Sequence, residues 1–368
     1  MNKYVKRYFI DAMSGMAQGL FSSLLIGTII KTLGQQLLRL SQNVVFKFLV
    51  DAGNFATDAH VVGAAMAIGI GFAMNVPALV LFSLAAVGSA ANVTGGAGGP
   101  LAVLIIAIIS AELGRLVSKK TKVDIIVTPA VTILVGALLT VLTAKYIGIA
   151  ASSVGKLIVW STKLHPFWMG ILVSVVVGIA LTLPISSAAI CAAFGLTGLA
   201  GGAAVAGCCA QMIGFAVMSF KENRWGGILS QGLGTSMLQM PNIIKNPKTW
   251  IPPILASAIT GPIATCLFKM EMNGAAVSSG MGTCGLVGQI GVISGWFEPS
   301  EVAIGHGATA ISPVFFDWLG LILVCFVLPG VLSWAFGLLL RKIGWIKDGD
   351  LSLDPAPAVE PAVTEEKK

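Results

Sequence analysis

The sequence predicts an all-α membrane protein with about eight to ten spanning helices, some of them broken into re-entrant hairpins. Of the 368 residues, 56% are hydrophobic and only 11% are charged, whereas an average soluble domain carries about 25% charged residues. Three stretches contain no Asp, Glu, Lys or Arg, and they cover residues 59–111, 164–220 and 318–340. One span needs about 20 such residues, so the first two stretches have room for more than one span each.

The individual spans follow from apolar runs that end at charges, prolines or glycines. In chain order they are 11–33, one or two spans within 60–91, then 101–117, 125–146, 166–183, 188–220, 254–268 and 318–340, with weaker surface helices within 35–58 and 147–163. Gly15, Gly19 and Gly27 are spaced by multiples of four, which predicts close approach by a neighbouring helix. Short connections predict one membrane domain, residues 1–347, and a Pro-, Ala- and Glu-rich tail, residues 348–368, that we expect to be disordered.

The charge pattern indicates orientation in a membrane rather than nucleic-acid binding. The net charge is +7, and the basic residues cluster at the ends of apolar segments: Lys3, Lys6 and Arg7; Lys119, Lys120 and Lys122; Arg341, Lys342 and Lys347. Under the positive-inside rule this predicts a cytoplasmic N-terminus. The six cysteines lie in apolar stretches without the paired spacing of a zinc or redox motif, so we expect small core residues rather than disulfides.

Four segments interrupt the apolar runs with glycine, proline and uncharged polar residues: 92–100, 183–187, 234–242 and 273–295. The third opens the run GTSMLQMPNIIKNPKTWIPP, which contains four prolines. Backbone that leaves the helix at membrane depth must be received by protein or by a water-filled cavity, and transporters build their solute sites from such discontinuous helices. The four breaks therefore predict a cavity.

The side chains at the breaks are mostly neutral hydrogen-bonding groups, which suit an uncharged or polyhydroxylated ligand better than an ion. They are Asn92, Thr94, Ser186, Ser187, Ser236, Gln239, Asn242, Asn273, Ser278, Ser279 and Gln289. For any one of them a structural role is the simpler interpretation, because Ser and Thr in membrane helices often bond their own backbone. The four breaks taken together favour a binding site.

Two ionisable residues join the candidate site. Glu271 follows Lys269 within an apolar run, and it either contacts a proton or the substrate or pairs with that lysine. His306 lies in a loop-like stretch and could titrate near neutral pH. The chain lacks a phosphate loop, a paired metal-ligand motif and a nucleophile elbow. We therefore expect no cofactor or metal, and no enzyme activity of the chain on its own.

The third break resembles a known family. Enzyme IIC, the membrane subunit of fructose- and mannitol-type bacterial phosphotransferase systems, carries GITEGAIPF followed by AAKDPLRVIPA. Here Met240-Pro241, Lys245-Asn246-Pro247 and Ile251-Pro252 align with its Ile-Pro, Lys-Asp-Pro and final Ile-Pro without a gap. The run PISSAAICAAFG, residues 184–195, is similar to the family's GGPVNKAAYAFG, and the order of elements agrees from about residue 60 to about residue 320.

The departures from the family pattern matter as much. Met237 stands where the family places its sugar-contacting glutamate, Ser186-Ser187 replaces Asn-Lys, and no Pro-His-Gly-Gly follows the last break. The chain resembles stand-alone, IIC-like membrane proteins of the perfringolysin-regulator type. The resemblance implies a dimeric, elevator-like fold and an alternating-access cavity, with cytoplasmic phosphotransferase IIA and IIB proteins as partners.

Two hypotheses follow. In the first, the chain is a transporter that carries a small polar solute, a sugar or related polyol, by moving the segments around Ser186 and Gln239 relative to a fixed scaffold. In the second, it is a non-transporting sensor or regulator that keeps the IIC fold and signals through its loops and tail. The loss of the family's glutamate at Met237 favours the second, and the retained neutral polar groups favour the first. An ion channel is disfavoured because acidic rings and carbonyl filter motifs are missing.

Overall fold

The computed structural model describes residue 4 and residues 6–353, which form helices joined by short turns and contain no β-strand. We number the helices in chain order. They are α1 (Lys6–Leu40), α2 (Val44–Ala56), α3 (Ala59–Ala73), α4 (Ala78–Gly95), α5 (Gly99–Val117), α6 (Asp124–Ser161), α7 (Pro166–Thr182), α8 (Ser187–Ala193), α9 (Gly198–Met218), α10 (Phe220–Leu229), α11 (Met240–Lys245), α12 (Pro247–Leu267), α13 (Val287–Phe297), α14 (Glu301–Gly305) and α15 (Phe315–Lys342). The predicted all-α class is confirmed.

The helices are long and apolar enough for a polytopic membrane protein. Among the described residues, six helical stretches could cross a membrane, or seven if the bent pair α2 and α3 is one span, and α7 is a shorter apolar helix. The stretch 78–117 reverses at Gly96, where φ is +52°; a Cβ on Gly114 would lie 3.1 Å from Val80 Cγ2, so α4 and α5 run back along each other. Membrane class is confirmed, and the number of crossings stays a prediction.

The helices pack as two groups that share α9. In the first group, α1, α3, α4 and α5 enclose the largest apolar core. In the second group, α7, α12 and α15 pack around α9, and 89% of the residues in its most apolar window are buried. Phe215 and Met218, near the C-terminal end of α9, belong to the first core. Because α9 packs against both groups of helices, a polar side chain on it lies far from solvent and lipid.

Glycine lets the helices approach until backbone touches backbone. A Cβ on Gly15 of α1 would overlap the carbonyl oxygen of Gly69 on α3, and a Cβ on Gly69 would overlap the carbonyl oxygen of Gly15. On α9, a Cβ on Gly202 or Gly207 would overlap the carbonyl of Met270 or Ser174. Small residues serve this purpose in membranes, where lipid provides little hydrophobic drive for helix association. The predicted packing role of Gly15 agrees with this contact.

The boundaries of α1, α6, α9 and the C-terminal tail differ from the sequence prediction. α6 continues through residues 147–161, which we expected to lie in a surface helix, and the span expected at 188–220 is divided into α8 and α9. α1 continues through residues 35–40, which we expected to begin a surface helix, and α2 packs back on it, with Gly34 against Leu49. Asp348–Leu353, expected to be disordered, is packed, because Leu351 is completely buried in the first core. The rest of the predicted disordered tail, residues 354–368, lies outside the described residues.

We expect Gly69→Ala to lower the melting temperature of the purified protein in detergent, because the added methyl group forces α1 and α3 apart. Overpacking of this kind costs about 1–3 kcal/mol. Gly226→Ala on α10 is the matched control, since a Cβ there meets no atom within 4 Å. Equal melting temperatures for the two variants would contradict the assigned contact.

Candidate functional site

The second predicted break contacts the first and the fourth through hydrogen bonds, and the third contacts the end of α7. The backbone N–H of Ser186 donates to the carbonyl of Ala97 (2.9 Å), which joins the second break to the first. Ser187 Oγ donates to the carbonyl of Gly280 (2.7 Å), which joins the second to the fourth. Thr182 Oγ1 and Ser236 Oγ lie 2.7 Å apart, so the end of α7 contacts the third break. Segments far apart in sequence thus form one polar region inside the protein.

The centre of this region is a group of five neutral side chains, the central polar cluster: Thr182, Gln211, Ser236, Trp250 and Ser257. Trp250 Nε1 donates to Gln211 Oε1 (2.8 Å), and Gln211 Nε2 donates to Ser257 Oγ (3.4 Å). Thr182 Oγ1 lies 3.3 Å from the same Gln211 oxygen. Thr182, Gln211, Ser236 and Ser257 have no solvent exposure. The cluster offers donors and acceptors without a formal charge, as recognition of hydroxyl groups requires.

Of the five members, only Ser236 is among the candidates predicted from the sequence. Among the four that sequence reasoning missed, Gln211 has the clearest signal, because it is the only side chain in the α9 sequence, GLAGGAAVAGCCAQMIGFAVM, that carries an amide or hydroxyl group. A lone polar residue in an apolar spanning helix usually faces the protein interior and marks a functional position. Gln211 lies outside the four breaks, on which the predicted site rested.

Gln239 and Asn242, predicted to contact solute, bond protein groups in this structure. Gln239 Nε2 donates to Gln231 Oε1 (2.9 Å) and to the carbonyl of Leu351 (3.0 Å). Asn242 Nδ2 donates to Gln239 Oε1 (2.8 Å) and to the carbonyl of Ser352 (2.8 Å). Their amide N–H groups therefore hold the C-terminal segment, and a contact with solute would require that segment to leave.

A second polar site lies at the N-terminal end of α9. Asn273 Nδ2 donates to Glu271 Oε2 (2.8 Å), and Asn273 Oδ1 accepts from the backbone N–H of Gly198 (3.1 Å). His306 Nδ1 lies 3.0 Å from Thr197 Oγ1. A cavity of about 380 Å³ opens beside them. It is lined by Phe268, Lys269, Met270, Glu271, Asn273, Gly295, Trp296, Gly307, Ala308, Thr309, Ile311 and Asp317. Glu271 and His306 are both exposed, as expected for a wet entrance.

The polar residues of the fourth break face different neighbours. Ser278 is buried and lines a cavity of about 410 Å³ that also contains Gln35 and Arg39 of α1. Ser279 Oγ bonds the local carbonyl of Ala276 (2.7 Å). Gln289 Nε2 donates to Cys209 Sγ on α9 (3.2 Å), while its buried Oε1 has no hydrogen-bond partner among the described residues.

The first break contributes backbone rather than side chains. Asn92 belongs to α4, and its Nδ2 donates to the carbonyl of Ala59 at the start of α3 (2.8 Å). Thr94 is exposed. Ser186 Oγ accepts from the backbone N–H of Ala189 (3.2 Å) and so begins α8. The thirteen candidates of the sequence stand at separate places, and of them Ser236 belongs to the central polar cluster.

The arrangement defines a class of protein: a polytopic membrane protein whose broken helices meet around one buried helix. The chain belongs to the phosphotransferase system EIIC family, because the model of that family, described as "Phosphotransferase system, EIIC", matches residues 10–353. Neither the curated proteins nor the solved structures compared with the chain give a match. The family match and the membrane helices together identify a membrane component of sugar transport.

Replacing Gln211 with methionine should destabilise the protein by about 1–3 kcal/mol, the usual cost of leaving buried polar groups unpaired. The variant keeps the side-chain length but removes the acceptor of Trp250 Nε1 and the donor to Ser257. Its melting temperature in detergent, followed by tryptophan fluorescence, measures the loss. Gln42→Met is the matched control, because Gln42 is exposed in the turn after α1 and bonds only the nearby carbonyl of Leu38. Equal effects of the two substitutions would show that the central polar cluster carries no special energy.

Proposed function

We propose that the chain carries a small uncharged polar solute, a sugar or related polyol, across the bacterial cytoplasmic membrane by alternating access. The observation that carries the proposal is a neutral, fully buried cluster in which Ser236 of the third break meets Thr182 and Gln211. Thr182 directly precedes the second break, which is bonded to the first and the fourth. Hydroxyl groups of a sugar can replace the bonds that Thr182, Gln211 and Ser236 make to one another. A charged substrate would find no opposite charge within the cluster.

The packing of the breaks favours a movement in which the second and third breaks separate. Ile185 and Ile190, around the second break, pack in a core with α7 and α9. Met237 and Met240, in the third break, pack in the core of α1, α3, α4 and α5. The contact between Thr182 and Ser236 therefore joins two bodies with different cores. Opening it would admit solute to the cluster, whereas our sequence hypothesis moved the segments around Ser186 and Gln239 together.

The proposal also covers the orientation of the protein in the membrane and its partner proteins. Arg7, near the N-terminus, pairs with Glu112 (2.8 Å), and Arg341, near the end of α15, pairs with Glu222 (2.7 Å). Both regions are therefore helix ends that carry basic and acidic side chains. Such basic helix ends face the cytoplasm under the positive-inside rule. We infer that this end faces the cytoplasm, where phosphotransferase IIA and IIB proteins could meet a solute that has been carried inward. A homodimer remains part of the proposal through the resemblance to fructose- and mannitol-type IIC subunits.

A sensor that binds solute without moving it is the second candidate. Two observations favour it: Met237 is buried in an apolar core at the position where the resembling family has an acid, and the C-terminal segment occupies Gln239 and Asn242. A sensor of the regulator type would keep the central polar cluster and lose the coupling to phosphoryl transfer.

Proteoliposomes that contain the purified protein should accumulate at least one labelled sugar or polyol from a panel, and a thermal-shift assay with the same panel should identify the same solute. Thr182→Val and Ser236→Ala should each lower the initial rate about five- to tenfold, because a lost hydrogen bond is worth about 1 kcal/mol. Ser153→Ala should transport normally, since Ser153 is exposed and bonds its own helix.

The outcomes separate the two candidates. Binding together with uptake supports the transporter. Binding without uptake, with or without added IIA and IIB proteins, supports the sensor. Full activity of Thr182→Val and Ser236→Ala would remove the central polar cluster from the proposal even if uptake is observed.

A further inference from the structure

The segment Asp348–Leu353 lies across the third break like a bound peptide. After α15 ends, the chain turns through Gly344 (φ +76°) and Gly349 (φ +90°) and returns to the protein surface. Leu351 then enters the first core and has no solvent exposure. An apolar anchor of this size, beyond α15, requires a pocket formed by other elements.

Amide side chains recognise the main chain of this segment. Asn223 of α10 makes two bonds: its Nδ2 donates to the carbonyl of Leu351, and its Oδ1 accepts from the N–H of Leu353, both at 2.7 Å. Gln239 donates to the same carbonyl of Leu351, and Asn242 donates to the carbonyl of Ser352. Residues 348–351 form a turn, and the protein recognises it by main-chain bonds plus one side-chain pocket, the two means by which peptide segments are bound.

Further contacts orient the start of the segment. Asp348 pairs with Lys221 (2.7 Å) and Arg341 (3.0 Å). The hydrogen bond to Lys221 lowers the pKa of Asp348, so its carboxylate is charged at neutral pH. Asn246 Nδ2 donates to Asp350 Oδ2 (2.8 Å). The Asp348 pairs are exposed and therefore weak, so Leu351 and the buried amides hold the segment.

The segment is connected to the central polar cluster through residues 236–242 of the third break. Gln239 and Asn242, which hold the segment, follow Ser236 of the central polar cluster by three and six positions. If the segment leaves, the buried amide groups of Gln239 and Asn242 each lose one of their two partners, which is costly unless they move to water. The position of the third break is thus coupled to the presence of the segment.

We propose that Asp348–Leu353 is a reversible latch, an internal peptide ligand of the groove formed by Asn223, Gln239, Asn242 and the pocket of Leu351, and that its release frees the third break to move. Residues 354–368 continue the chain beyond the latch, so a partner that binds them could pull it away. The latch does not depend on the proposed transport activity, because a sensor would use the same movement.

Hydrogen exchange of the full chain in nanodiscs tests the latch without any solute. Leu351→Asp should speed exchange of backbone amides in residues 236–245 at least tenfold, while amides of α4 and α5 keep their wild-type rates. Ser352→Ala is the matched control, since the latch uses its main-chain carbonyl and the substitution leaves that carbonyl in place. Unchanged exchange in Leu351→Asp would overturn the proposal and leave the transport hypothesis standing.

Two further measurements test the latch if Leu351→Asp folds poorly. Leu351→Ala should give a smaller acceleration in the same residues. In a chain shortened to end at Lys347, the amides of residues 236–245 should regain slow exchange when the peptide KDGDLSL is added, but not when KDGDDSL is added. If both Leu351 variants and the shortened chain fail to fold, the segment is a fixed part of the structure and the latch is wrong. If the shortened chain folds and KDGDLSL has no effect, the groove does not bind peptide and the proposal fails as well.

Discussion

The structure depends on one constraint: a backbone that leaves the helix inside the membrane must have its N–H and C=O groups received by other protein groups. The second break meets it by donating the N–H of Ser186 to Ala97 and by using the hydroxyl of Ser187 for the carbonyl of Gly280. The second break thus shares hydrogen bonds with the first and the fourth, while the third is bonded to Thr182 at the end of α7. These bonds explain why the breaks lie together although they are separated by long stretches of sequence.

The same constraint explains the composition of α9. A helix surrounded by broken segments must let their backbone come close, and glycine and alanine make this possible. Gly202 and Gly207 lie directly against the carbonyls of Met270 and Ser174. With small residues on most of its surface, α9 leaves Gln211 as its one amide group, and the neighbouring elements turn Trp250 and Thr182 toward it.

Sequence reasoning predicted the breaks well and their side chains poorly. Proline and glycine have local conformational effects, so the interruptions at 183–187 and 234–242 could be read directly, and the structure has non-helical or tightly wound backbone in both. The partner of a polar side chain is not local. Gln239 and Asn242 bond Leu351 and Ser352, more than a hundred positions away. Composition also misplaced the start of the tail, because a single buried leucine can order a segment that otherwise looks disordered.

The third break links the two inferences about function. Ser236 faces Thr182 across the boundary between the two cores, while Gln239 and Asn242 face the C-terminal segment. These residues lie within one short stretch of helical turns. A shift of Ser236 therefore strains the contacts of Gln239 and Asn242, and a shift of those two residues strains the contact of Ser236. A solute that separates Thr182 from Ser236 would therefore weaken the hold on Leu351, and removal of Leu351 would ease that separation. By thermodynamic linkage the two effects must be equal in free energy. This reciprocity gives the transporter and the sensor a common physical basis: they differ in whether the coupled movement carries the solute across or only releases the tail.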